Sequence, residues 1–143
     1  MALRVLSPLH KASRQLSLHL EARTRALGVS PAEGHLLTYL RRYAPAPVGE
    51  LARVFGTKQS TLTSILDRLE RDGLLRRAPN PTDRRSFLLR LTPKGRSLAA
   101  RLQRELVALE REIARRVTGR EQSGFDAVMA AVDAVTGVRV RER

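Results

Sequence analysis

The sequence predicts a mainly α chain with one small β-hairpin, an α+β arrangement in which helices flank the hairpin on both sides. Three observations predict it. Apolar residues recur at spacings of three, four and seven through most of the 143 residues. Between Leu74 and Leu91 the period changes, around the turn-forming run Asn80-Pro81-Thr82-Asp83. Cap residues followed directly by proline, at Ser30-Pro31 and Thr92-Pro93, start helices on either side of the central segment.

Taken in order, Leu9, Ala12, Leu16, Leu20 and Leu27 line one face of a first helix from about Pro8 to Leu27, ended by Gly28. Ser30 then reads as an N-cap, Pro31 as the first helical residue and Glu33 as the closure of a capping box. Leu36, Leu37 and Leu40 form the buried face of this second helix, and Tyr43-Ala44-Pro45-Ala46-Pro47 breaks it. A short third helix, about Pro47 to Phe55, has Val48, Leu51, Ala52 and Phe55 on one side. Gly56 stops it and Thr57 is placed to cap a fourth, which runs to Asp72 and buries Leu62, Ile65, Leu66 and Leu69. Two short helices joined by a tight glycine turn outline a helix-turn-helix.

Leu74 to Arg77 and Ser86 to Leu91 are the strand candidates. In the second, Phe87, Leu89 and Leu91 share a face, although Leu88 interrupts the alternation. A hairpin appended to a helix-turn-helix is a wing. Thr92-Pro93 opens a long helix of about 25 residues, or about 37 Å, carrying Leu98, Leu102, Leu106, Leu109, Ile113 and Val117. Thr118-Gly119-Arg120-Glu121 is a second capping box. The helix it opens has Phe125, Val128, Met129, Val132 and Val135 expected to face inward, and Arg139, Arg141 and Arg143 form a basic tail. The expected organisation is one continuous unit: an N-terminal dimerisation helix over 1–29, a winged helix-turn-helix over 30–97, and C-terminal dimerisation helices over 98–143. Apolar stripes that find no partner in their own globule are expected to meet those of a second copy, most simply across a two-fold axis.

Charge points to the partner. The chain has 27 Lys and Arg against 14 Asp and Glu, a formal net charge of +13, which attracts polyanions. From Lys58 to Arg104 there are twelve basic residues against four acidic ones, so the excess is concentrated on the fourth helix, the wing and the start of the long helix. There is no cysteine, which excludes disulfides, thiolate metal sites and a nucleophilic Cys. His10 and His19 are nine residues apart, on opposite sides of a helix, and no paired carboxylates or Ser/His/Asp spacing stand out. Neither an enzyme nor a cofactor or metal site is expected. With no apolar leader at the N-terminus and no stretch near 18 apolar residues, the chain reads as cytoplasmic and without membrane attachment.

A helix in the major groove reads base edges with residues near its N-terminus. On the fourth helix the polar face presents Ser60, Ser64 and Arg71, flanked by Thr63 and Arg68. Gln59 can pair in bidentate fashion with adenine, while Ser and Thr are permissive readers. Thr57, Lys58 and the helix N-terminal amides are placed to hold phosphate. On the wing, Asp83 can brace the guanidinium of Arg85 for entry into the minor groove, with Arg84 as its neighbour.

The run Glu50-Leu51-Ala52, Ser60-Thr61-Leu62-Thr63, Leu66 to Leu75, Pro79 to Arg85 and Leu91-Thr92-Pro93-Lys94-Gly95 resembles the MarR family of bacterial regulators, covering about Ser30 to Leu102. The resemblance implies a homodimeric repressor on double-stranded DNA with a pseudo-palindromic operator. It also implies release by a small aromatic or phenolic effector, with His35, Tyr39 and Arg90 as candidate pocket residues, and Arg85 as the arginine inserted from the wing, with Arg84 as the alternative. One departure is Ser64, which stands where many relatives carry Arg or another long polar residue, so the operator sequence is not inherited from any of them. A non-specific architectural DNA binder and a winged-helix protein-interaction module are the alternatives; steep salt dependence without site preference marks the first, and DNA affinity indifferent to the wing arginines the second.

Overall fold

The computed structural model describes residues 1–137, so Arg139, Arg141 and Arg143 lie outside the described residues. Its elements are α1 (Leu6–Ala26), α2 (Pro31–Tyr43), β1 (Ala46–Pro47), α3 (Val48–Phe55), α4 (Gln59–Arg71), β2 (Leu75–Pro79), β3 (Phe87–Leu91), α5 (Pro93–Ala114) and α6 (Gly119–Thr136). The local rules that start these helices are visible as bonds. Ser30 Oγ accepts from Glu33 N at 3.2 Å while Glu33 Oε2 accepts from Ser30 N at 2.8 Å, closing the box on α2. Thr118 and Glu121 do the same on α6. Gly56 ends α3 at φ +58°, a left-handed turn that L side chains resist and that lets α4 follow directly.

The hairpin is part of a three-stranded antiparallel sheet with order β1-β3-β2. The sequence reading has no first strand, because Pro45 and Pro47 mark the segment as a break. Two residues suffice: Ala46 and Pro47 pair with Leu89 and Leu88, and β1 occupies the edge, where the missing N–H of Pro47 is tolerated. The main pairing runs Leu75 opposite Leu91, Arg76 opposite Arg90 and Arg77 opposite Leu89. Leu75, Leu89 and Leu91 face the core, while Phe87 is 51% exposed near the turn and departs from the expected apolar face. Strand β2 ends two residues beyond the expected Arg77, and α5 spans 22 residues instead of about 25.

Leucine builds the core almost alone, as the 3% aromatic content requires. Leu36, Leu37 and Leu40 of α2 meet Leu51 of α3, Leu62, Leu66 and Leu69 of α4, and Leu75 and Leu89 of the sheet, all fully buried. Each such side chain stabilises the fold by about 1.5–3 kcal/mol relative to exposure. The junction of wing and α5 is tied by side chains at its start. Thr92 Oγ1 donates to Gly73 O at 2.6 Å and accepts from Gly95 N at 3.0 Å, and Lys94 Nζ donates to Asp72 O at 2.9 Å.

Outside this core, where α1 still buries Leu20 and Thr24, much of the helical surface is apolar and exposed. No residue of α6 is buried, with Phe125 at 53% and Val135 at 87% exposure, so its apolar row does not face inward within one chain as expected. Along α1 and α5, Leu16, Leu18 and Ile113 are also exposed. Among the described residues, no helix is long and apolar enough to cross a membrane.

Candidate nucleic-acid interface

Helix α4 starts without side-chain assistance. The expected cap, Thr57, instead turns its hydroxyl to Phe55 O at 3.3 Å, and the N-cap position falls on Lys58, which makes no side-chain cap bond. No acidic residue stands in the first turn, so the N–H groups there and the positive end of the helix dipole are left for an external anion. Lys58, Gln59, Ser60, Thr63, Ser64 and Arg68 are all exposed on the side opposite the buried leucines. Thr63 Oγ1 donates to Gln59 O at 2.8 Å and Ser64 Oγ to Ser60 O at 3.1 Å. Each hydroxyl therefore spends its proton on its own helix and presents acceptor lone pairs outward.

The wing folds toward this helix. A cleft of about 640 Å³ runs between them, lined by Gln59, Thr63 and Asp67 of α4, Gly49 of α3, Arg77 at the root of the wing and Arg85 near its tip. Residues 26 apart in sequence, Gln59 and Arg85, thus border one concavity. The turn that presents Arg85 is built by Asn80 and Asp83. Asn80 Oδ1 accepts from Thr82 N at 3.1 Å, and Asn80 Nδ2 donates to Ser86 Oγ at 2.8 Å. Asp83 braces Arg85, but not as expected: its Oδ1 accepts from the Arg85 backbone N–H at 2.9 Å. Among the described residues no ion pair joins Asp83 to either Arg84 or Arg85, so both guanidinium groups remain available beyond the turn.

Three pairings were not legible in the sequence. Arg77, expected only as the end of a strand and as part of the charge excess, donates to Glu70 Oε2 and to Asp67 Oδ1, each at 2.6 Å, and pins β2 to α4. Arg68, expected on the DNA-facing flank, has its Nε 3.0 Å from Glu33 Oε1 on α2. The i to i+7 and i to i+10 spacings of the Arg77 pairs cross a helix end, where helical periodicity gives no signal.

Of the candidate effector residues, His35 and Tyr39 line one open cleft of about 510 Å³ together with Thr38, Tyr43, Phe55 and Gln103. The Tyr39 ring lies 4.7 Å from that of Tyr43 and 5.5 Å from that of Phe55, and its hydroxyl donates to Glu50 Oε1. Arg90 does not join them; it is exposed on β3, opposite Arg76.

A helix-turn-helix with a three-stranded sheet and a basic turn bordering the same cleft as the second helix defines a winged helix-turn-helix protein. Residues 29–87 match the sequence model of the MarR family. It is 38% identical over 109 residues to the HTH-type transcriptional regulator PecS of Dickeya dadantii, covering 73% of this chain and 65% of that protein. It is 32% identical over 84 residues to the multiple antibiotic resistance protein MarR of Salmonella typhimurium, 58% of each chain. The chain thus spans about two thirds of the first of these relatives and somewhat more than half of the second. Among solved structures, the fold is similar to Staphylococcus aureus MepR in complex with DNA, with a TM-score of 0.80 at 17% identity over 91% of this chain and 96% of that one. It is likewise similar to a mutant of Escherichia coli MarR complexed with operator DNA, with a TM-score of 0.77 at 24% identity over 91% and 94%.

Proposed function

We propose that the chain is a homodimeric, sequence-specific regulator of transcription that binds double-stranded DNA, acting as a repressor released by a small aromatic or phenolic effector. The observation that carries this reading is the single cleft bordered by Gln59 and Thr63 on one side and Arg85 on the other, beside an uncapped helix N-terminus. In it, α4 enters the major groove, Gln59 and the Ser60, Thr63 and Ser64 hydroxyls meet base edges, and Thr57 and Lys58 meet phosphate. The wing turn carries Arg84 and Arg85 to the adjacent minor groove, where the potential is most negative. That relatives of this fold were solved bound to DNA supports the reading.

The exposed apolar rows of α1, α5 and α6 support a two-fold mate. A dimer presents two α4 helices to one duplex, with half-site centres about 10 bp apart. His35 and Tyr39, in the aromatic cleft beside Arg41 and Arg42, suit a flat anionic effector; Arg90 is not part of that cleft.

The test is selection of bound fragments from genomic DNA, repeated with aromatic acids present. A recurring pseudo-palindrome, lost on adding one of those acids, is the expected result. Retention of all fragments alike, with affinity set only by salt, would replace sequence-specific control by non-specific DNA packaging.

A further inference from the structure

Arg68 sits on the exposed side of α4, where a cation reads at first as a phosphate contact, yet its guanidinium is engaged elsewhere. The Glu33 side chain beside it is only 7% exposed, against 52% for Arg68. The two oxygens of Glu33 serve two elements. Oε2 accepts from Ser30 N and closes the start of α2. Oε1 is buried with no hydrogen bond of good geometry, and the charge 3.0 Å away on Arg68 Nε is what compensates it. A buried carboxylate stripped of its partner is far costlier than a surface cation that loses a phosphate. The guanidinium therefore belongs to Glu33 before it belongs to DNA.

The pairing also joins two parts of the molecule. Helix α2 packs on α1 and α5, and it carries His35 and Tyr39 into the aromatic cleft. Its first turn is held to the second half of α4 through Glu33 and Arg68.

We infer that Glu33 and Arg68 form a positioning pair that fixes the pitch of α4 on α2, and that Arg68 orients the reading helix without neutralising a phosphate. The inference rests on the DNA-binding reading above. Its test uses the full chain with Glu33→Gln, Arg68→Met, the double substitution and Arg68→Lys. Glutamine keeps the capping box while removing the charge, and methionine keeps the apolar stem.

In thermal unfolding without DNA, each single change lowers the midpoint by about 3–6 °C, and the double change costs no more than the larger single one. On DNA, well below the midpoint, Arg68→Met and Glu33→Gln each reduce the ratio of specific to non-specific affinity by about 3- to 10-fold. The salt slope stays unchanged, and Arg68→Lys restores most of the ratio. A loss of stability alone would leave that ratio unmoved. The inference is overturned by additive midpoints. It is also overturned if Arg68→Met flattens the salt slope by about 0.9, the signature of one lost phosphate contact, while Glu33→Gln tightens binding. Failure of the unsubstituted chain to bind any duplex removes the functional reading instead, and leaves the unfolding cycle to decide whether the pair holds α4.

Discussion

Gly95 lies so close to Leu74 that a Cβ built on it would stand 1.8 Å from the Leu74 carbonyl oxygen. The first turn of α5 thus rests directly on the backbone that enters the wing. In an open helix, replacing glycine by alanine gains up to about 1 kcal/mol. Here the sign reverses, because the obstacle is backbone and must move. Gly95→Ala should lose about 2–4 kcal/mol of unfolding free energy in denaturant titration, and an alanine variant at least as stable as the parent would show that the two segments separate easily.

Gln59 and Arg85 border the same cleft with different chemistry. Gln59→Ala should alter base preference at one position, costing about 1–3 kcal/mol there if the amide makes a bidentate contact. Arg85→Ala should weaken all sites more evenly and flatten the dependence on salt. Competition binding across a library of half-site variants checks both, and identical profiles for the two substitutions would refute the division of labour.

Arg77 holds Glu70 and Asp67 together with three-quarters of its side chain covered. Arg77→Met keeps the stem and removes the charge. It should cost about 1–2 kcal/mol at low ionic strength. Because Asp67 is half exposed, the difference from the parent should narrow as salt rises; a gap insensitive to salt would mean that packing, not charge, pins β2.

Ile113 and Phe125, 44% and 53% exposed, lie outside the core. A charge at either position should spare the winged fold and separate the two copies. Ile113→Glu and Phe125→Glu should sediment as monomers with unchanged sheet and α4 signals, and should lose the preference for paired half-sites.

Glu121 closes the α6 capping box, and the backbone N–H of Thr118, followed by its hydroxyl, holds the Glu121 carboxyl below its ordinary value of 4.5. A carboxyl depressed by folding contributes stability that is complete above the unfolded value and fades as pH falls through the lower folded one. Helical circular dichroism should therefore drop on acidification below about pH 4.5, and Glu121→Gln should remove the part of that drop belonging to α6.

Local rules are what the sequence makes plain. Both capping boxes, the Gly56 turn, the leucine face of α4 and the wing turn follow from near-neighbour chemistry and stand as read. What escapes is non-local. Strand β1 exists because Leu88 and Leu89 offer a partner, and no propensity of Ala46 or Pro47 announces it. Glu33 reads only as a cap, since its second role depends on where α4 crosses α2. Thr57 has the right type and place to cap α4, yet its hydroxyl finds the Phe55 carbonyl instead. Grouping Arg90 with His35 and Tyr39 fails for a related reason: the antiparallel register sets Arg90 beside Arg76, away from the cleft.

The Thr92 hydroxyl closes the start of α5 and also holds the Gly73 carbonyl at the end of the preceding helix turn. Neither segment can swing away without releasing the other from its bond. In hydrogen–deuterium exchange the amides of β3 and the first turns of α5 should consequently open as a single cooperative block, at a common rate, while those of α6 exchange far sooner. The root of the wing is therefore expected to move as one piece with the start of α5.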